Sequence, residues 1–171
     1  ILLCLLPVLV SIGGAQQENP FVPSPKQKSF SRLAGIWEGS GTWRHASAMP
    51  AQKWSGCTTA KSVLGGHFID EDLVIDLGPT VPGPLRMRTF YGWERETQRY
   101  IAAEINNSGE VHYRPIHWED EDTMTWSSSL VREGKLTTEH WTLTFGKDSY
   151  RIQGIQIVGN SKPFVHVEGS F

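Results

Sequence analysis

The chain has 171 residues, a length that suits one domain. With 16 basic against 18 acidic residues and both signs dispersed, it lacks the basic stripe that nucleic-acid or general phosphate binding requires. Seven Trp in so short a chain point to a core or a pocket walled by aromatic rings.

The first residues are almost all apolar. Ile1 to Ile12 is followed by Gly13-Gly14-Ala15 and then by polar Gln16-Gln17-Glu18. That pattern is expected of the apolar stretch and cleavage site of a secretory signal, here residues 1–15 with the basic start missing. The run falls short of the roughly 20 apolar residues that a membrane helix needs. The expectation is therefore an exported protein, periplasmic or extracellular, with no stable membrane insertion once the leader is removed. Cleavage after Ala15 leaves Cys57 as the single cysteine, so the core and not a disulfide must hold the fold. Cys57 itself reads as a small buried apolar residue.

Residues 16–28 read as a linker, rich in proline at its start, with 29–171 as one domain. Ser24-Pro25 carries a helix-start signal, and Phe30, Leu33 and Ala34 recur at helical spacing before Gly35. One short helix is expected there. Beyond it the pattern changes to period two, as in Trp37, Gly39, Gly41 and Trp43 against Glu38, Ser40 and Thr42. Strand-like runs are expected near 36–44, 53–64, 67–76, 85–93, 99–105, 110–117, 123–131, 135–145, 149–158 and 164–171. Gly, Pro and Asn clusters separate them, and no link leaves room for a crossover helix. The fold class is thus all-β: an up-and-down antiparallel barrel of about ten strands with one short N-terminal helix. The acidic run Glu119-Asp120-Glu121-Asp122 reads as a solvated hairpin loop, since it lacks the glycine-punctuated spacing of a calcium loop.

Alternation groups the aromatic residues on shared faces. Trp141, Leu143 and Phe145 form one set, Tyr91 and Trp93 another, Met124 and Trp126 a third. Polar residues join them: Glu104 shares a face with Tyr100 and Ala102, and Asp70 and Asp72 share one with Phe68 and Val74. Gly39 and Gly41 remove side-chain bulk between Trp37 and Trp43, which leaves either a pocket or a gap filled by a neighbouring ring. The candidate pocket residues are Trp43, His67, Tyr91, Trp93, Glu104, Trp126, His140 and Trp141, with Trp37 closing the barrel.

The stretch Gly35-Ile36-Trp37-Glu38-Gly39-Ser40-Gly41 resembles the first-strand signature of lipocalin-like barrels. That resemblance implies that Trp37 packs across the closed end. Leu33 to Gly39, Leu64-Gly65-Gly66-His67-Phe68-Ile69, Tyr91-Gly92-Trp93-Glu94 and the turn Ile105 to Gly109 together resemble the DUF1579 family, a bacterial family of unknown function. Glu104 and Asn106 stand where that family usually has an aromatic residue and Asp, which implies a more polar pocket here. Nitrobindin-like barrels share the G-x-W-x-G-x-G opening. They imply haem held through a late His, here His166, although Thr42-Trp43-Arg44-His45 departs from their Tyr-Pro-Thr run.

No catalytic motif is present. His112 and His117 face opposite ways on a strand, and Glu139-His140 or His166 with Glu168 supplies too few ligands for a zinc site. Three readings remain open: a non-catalytic pocket for a small, largely apolar molecule, an enzyme using Glu104, His140 or His166 as acid or base, or a packed structural barrel used in protein contacts. No metal or other cofactor is expected beyond the haem alternative.

Overall fold

The computed structural model describes residues 22–132 and 134–171. The expected leader at 1–15 lies outside the described residues. The helix-start signal at Ser24-Pro25 is met by α1 (Pro25–Lys28), within the stretch read as linker, and α1 runs into a 3₁₀ turn at Ser29–Leu33. Gln27 of α1 is buried and its amide nitrogen lies 2.8 Å from His67 Nδ1, so this segment is docked on the barrel.

Ten strands follow: β1 (Gly35–Trp43), β2 (Gln52–Val63), β3 (Phe68–Asp76), β4 (Leu85–Glu94), β5 (Arg99–Asn106), β6 (Val111–Trp118), β7 (Thr123–Arg132), β8 (Lys135–Phe145), β9 (Tyr150–Val158) and β10 (Phe164–Ser170). Each pairs antiparallel with the next, and β1 pairs with β10 to close the barrel. Closure leaves no free edge to template aggregation. The alternation that marked the strands also sets their faces. Ile36 points out and is exposed, whereas Trp43 and its row point in. In β2 the inward row is Trp54, Thr58 and Ala60, so Cys57 falls on the outer face and is exposed, contrary to the expectation of burial.

α1 and the 3₁₀ turn cover one end. Phe30 and Leu33 enter the barrel there and are almost wholly buried. Phe30 touches three rings, Tyr91, Tyr100 and Trp118, at centroid distances of 5.5, 5.5 and 5.9 Å. From Trp118 the ring contacts continue through Phe145, Tyr150 and Phe171 to Trp54. Trp37 joins at Tyr150 and donates its indole N–H to the Leu33 carbonyl, 2.9 Å away, which ties the closing segment to β1. The acidic β6–β7 loop is also tied down: Arg32 bonds the Glu121 carbonyl and the Asp122 carboxylate while lying over the Phe145 ring.

The space beside Gly39 and Gly41 is filled. A Cβ on Gly39 would lie 2.5 Å from the Phe171 ring, and one on Gly41 2.7 Å from the Trp54 indole nitrogen. On β10, a Cβ on Gly169 would meet the same Trp54 ring. The glycines therefore admit rings and, at Gly41, the β10 backbone at Glu168 and Gly169, instead of opening a pocket. Phe30→Ala removes the residue that joins these rings to the helix. It is expected to lower the unfolding free energy by about 3–5 kcal/mol in a urea titration. A loss below about 1 kcal/mol would show that Phe30 is not packed in this way.

Candidate functional site

Away from the closed end, the interior is unusually polar. Register places Glu71 on β3, Thr89 on β4 and Glu104 on β5 side by side on the inner face. Across the barrel, Glu139 on β8 and Gln156 on β9 are paired the same way. Glu71, Glu104 and Glu139 are each less than a tenth exposed. Burying a carboxylate is unfavourable unless its oxygens are hydrogen-bonded. Each of the three is provided for. Thr58 Oγ1 and Tyr91 OH donate to the two oxygens of Glu71, at 3.1 and 2.8 Å. Arg114 on β6 grips Glu104 with both terminal nitrogens, at 2.6 and 3.4 Å. Gln156 and Trp141 donate to Glu139 at 3.1 and 3.3 Å, with Arg132 at 3.5 Å.

These sites differ in charge balance. Glu104 has a guanidinium beside it, whereas Glu71 has only hydroxyl donors. Burial therefore wins at Glu71 and raises its carboxyl above the usual 4.5, despite the bonds from Tyr91 and Thr58; the Glu104 charge pushes the same way. Tyr91 is raised as well, chiefly by burial and then by the charge of Glu71, and so stays protonated as a donor.

A groove of about 680 Å³ lies along β5, β6 and β7. Trp93, Tyr100, Ile116, Trp118 and Trp126 wall it from the inner face, and Pro115, His117, Thr125 and Ser127 line it from the outer face of β6 and β7. Both faces contribute because the wall parts at this seam. β6 and β7 pair only from Ile116 to Trp118, whereas β7 and β8 pair along ten residues. Lys26 of α1 sits at the groove with its ammonium 5.5 Å from the Trp93 ring centroid. A second recess, of about 550 Å³, opens beside Phe164 and Lys135 at the other end of the barrel.

The structure brings some of the sequence candidates together and separates others. Tyr91, Glu104, Trp126 and Trp141 all face the interior, and Trp126 stacks on Trp141 with centroids 6.0 Å apart. Trp93 lies at the groove, against Tyr100. Trp43 is buried towards the far end, where its indole N–H bonds the Leu77 carbonyl at 2.9 Å. His67 lies outside the interior, in the turn that receives Gln27. His140 is on the outer face, exposed, 2.7 Å from Ser127 Oγ. Asp70 is also external, held below the usual carboxylate range by the bidentate Arg88 guanidinium. Of the three alternative acid–base groups, Glu104 is inside, His140 is outside, and His166 sits in a bulge of β10.

His166 Nδ1 donates to the Arg44 carbonyl (2.5 Å), and burial holds its pKa below the usual 6.5. Neither of the two grooves is lined by His166. The Phe164 ring lies against it, with centroids 6.4 Å apart. The residues present do not fit a haem at His166.

Sequence reading missed Glu71, Arg114, Trp118, Ser128, Glu139 and Gln156. The available signal was parity: Glu71 shares its face with Ile69, Leu73 and Ile75, and Arg114 shares one with Ile116 and Trp118.

The family model described as "Protein of unknown function (DUF1579)" matches residues 22–152. The chain belongs to the DUF1579 family. This is the family whose motifs Leu33 to Gly39 and Tyr91 to Glu94 resemble. The crystal structure of Rv2717c from M. tuberculosis is similar to this DUF1579 chain at a TM-score of 0.61 and 12% identity. The match covers 86% of this chain and 96% of that one, and it shows a shared barrel fold. No curated protein matches the chain.

The raised carboxyl of Glu71 has a pH consequence. The folded state holds this proton more tightly than the unfolded state, so the associated stability is full below pH 4.5 and is lost as pH rises through the folded pKa. Glu71→Gln keeps the shape and removes the titration. Its stability relative to wild type is expected to improve as pH rises above 4.5. Urea unfolding at several pH values checks this, and a flat difference contradicts it.

Proposed function

We propose that the barrel binds a small, largely apolar molecule in the groove along β5, β6 and β7. The supporting observation is the groove's composition: rings from Trp93, Tyr100, Trp118 and Trp126 wall about 680 Å³ of space. That volume lies within the range of about 300–1,000 Å³ common to small-molecule sites. Aromatic walls supply large apolar contact with few rotors to immobilise. The polar groups behind them supply orientation. The proposal includes export by the leader pattern of residues 1–15, so that the ligand would be met outside the cytoplasm.

A neutral apolar fluorophore tests the binding. Titration with N-phenyl-1-naphthylamine is expected to raise and blue-shift the probe emission while quenching tryptophan emission, saturating at one probe per chain. No change with this probe, with a diphenylpolyene and with a twelve-carbon alkyl fluorophore would overturn the reading.

A further inference from the structure

Among the described residues, five buried side-chain polar atoms have no hydrogen-bond partner: Ser24 Oγ, Arg114 Nε, Trp118 Nε1, Trp126 Nε1 and Ser128 Oγ. All but Ser24 lie on β6 and β7. All four are on the inner face, since Arg114 pairs with buried Ala102, Ser128 with buried Glu139, and Trp118 with buried Met124, while Trp126 lies two residues from Ser128. Trp118 and Trp126 both line the groove. Arg114 and Ser128 stand just beyond Ile116 and Trp126, where the ladder between the two strands stops. Trp118 and Arg114 are four residues apart, so the stripe of donors runs for about 13 Å. Buried donors without partners are rare in folded proteins, and each is unfavourable. Four on two adjacent strands form a pattern.

The groups that could otherwise receive them are engaged. Both oxygens of Glu71, of Glu104 and of Glu139 already accept hydrogen bonds. Arg114 spends both terminal nitrogens on Glu104 and keeps only Nε free. Trp118 Nε1, Trp126 Nε1 and Arg114 Nε can only donate, so what they lack is an acceptor. The interior behind the groove is not positive: Arg114 is matched by Glu104, and Glu71 and Glu139 are buried on the same inner face of the barrel. Those carboxylates disfavour an anion, and an ammonium has no lone pair with which to receive the unpartnered N–H groups. A neutral oxygen acceptor avoids both obstacles.

We propose that the β6–β7 seam is a binding site for a flat, uncharged aromatic ligand bearing carbonyl oxygen. The indole N–H groups of Trp118 and Trp126, which line the groove, are the donors to that oxygen, and Ser128 and Arg114 continue the donor stripe beyond it. This rests on the small-molecule reading above and specifies its ligand. The rings of Trp93, Tyr100, Trp118 and Trp126 supply flat walls, and the donor stripe supplies selectivity. The alternative occupant is bound water, which would satisfy the donors without selecting any ligand.

Calorimetry on the intact protein with 2-acetylnaphthalene, 2-ethylnaphthalene and 2-naphthoate separates these cases. The three share a body and differ in acceptor and charge. The ketone is expected to bind at least about tenfold more tightly than the hydrocarbon, and more tightly than the carboxylate. Trp126→Phe keeps a ring and removes one donor. It is expected to weaken the ketone more than the hydrocarbon, so that the ketone-to-hydrocarbon affinity ratio falls severalfold. Trp118→Phe is expected to act in the same direction should the Trp126 variant fold poorly. Equal binding of ketone and hydrocarbon overturns the proposal in favour of water, and tightest binding by naphthoate overturns it in favour of an anion site. Binding of the apolar fluorophore without any preference for the ketone overturns this inference alone. Failure of every probe overturns the small-molecule reading with it.

Discussion

A closed sheet of ten strands encloses more room than the side chains of a smaller barrel would fill, and the rest of the structure follows from how that room is taken up. At the helix end it is taken up by rings. Phe30 enters from outside the sheet and meets Tyr91, Tyr100 and Trp118, and the contacts run on to Trp54. The glycines of β1, β9 and β10 are the counterpart of this packing. Rings from Phe171, Trp141 and Trp54 lie where their Cβ atoms would be. Bulk is thus supplied by a few large residues reaching across the barrel, and the strands they cross must carry none.

Beyond the rings, the interior changes character. Three glutamates are buried there, each with two oxygens engaged. Buried polar networks of this kind are stable only when satisfied, and they then fix the side chains that make them. Here satisfaction is uneven. The acceptors of β3, β5 and β8 are met, and the donors of β6 and β7 are not. The same two strands share the shortest ladder of the barrel, three residue pairs. The place where the wall is least paired is the place where donors stand free, with a ring-lined groove against it. Backbone pairing, side-chain bonding and shape converge on one seam, which is why the binding proposal is placed there.

The barrel was legible in the sequence because its signals are local. Alternation and turn residues mark each strand to within about a residue: the expected 85–93 and 99–105 are observed as Leu85–Glu94 and Arg99–Asn106. The Glu104 departure from the family pattern also led to an interior residue. The site was less legible, because period two assigns residues to faces without saying which face is inside. The row with Asp70 and Asp72 is external, whereas the neighbouring row with Glu71 is internal, and both mix apolar and acidic residues. His140 lost its place by the same parity: Glu139 and Trp141 point in, so His140 points out. Cys57 lost its burial in the same way. Gly39 gave no local sign of its neighbour, since Phe171 comes from the far end of the sequence.

The tryptophan indole signals offer the most direct test of the donor seam. Trp37, Trp43, Trp54 and Trp141 already have acceptors for their N–H groups, from Leu33, Leu77, Glu168 and Glu139. Trp118 and Trp126 do not. In a proton–nitrogen correlation spectrum of labelled protein, saturating 2-acetylnaphthalene should move the Trp118 and Trp126 indole N–H signals downfield. It should leave those of Trp37, Trp43 and Trp54 in place. Unmoved Trp118 and Trp126 signals in a protein saturated with the ketone would contradict the assignment of this seam as the site.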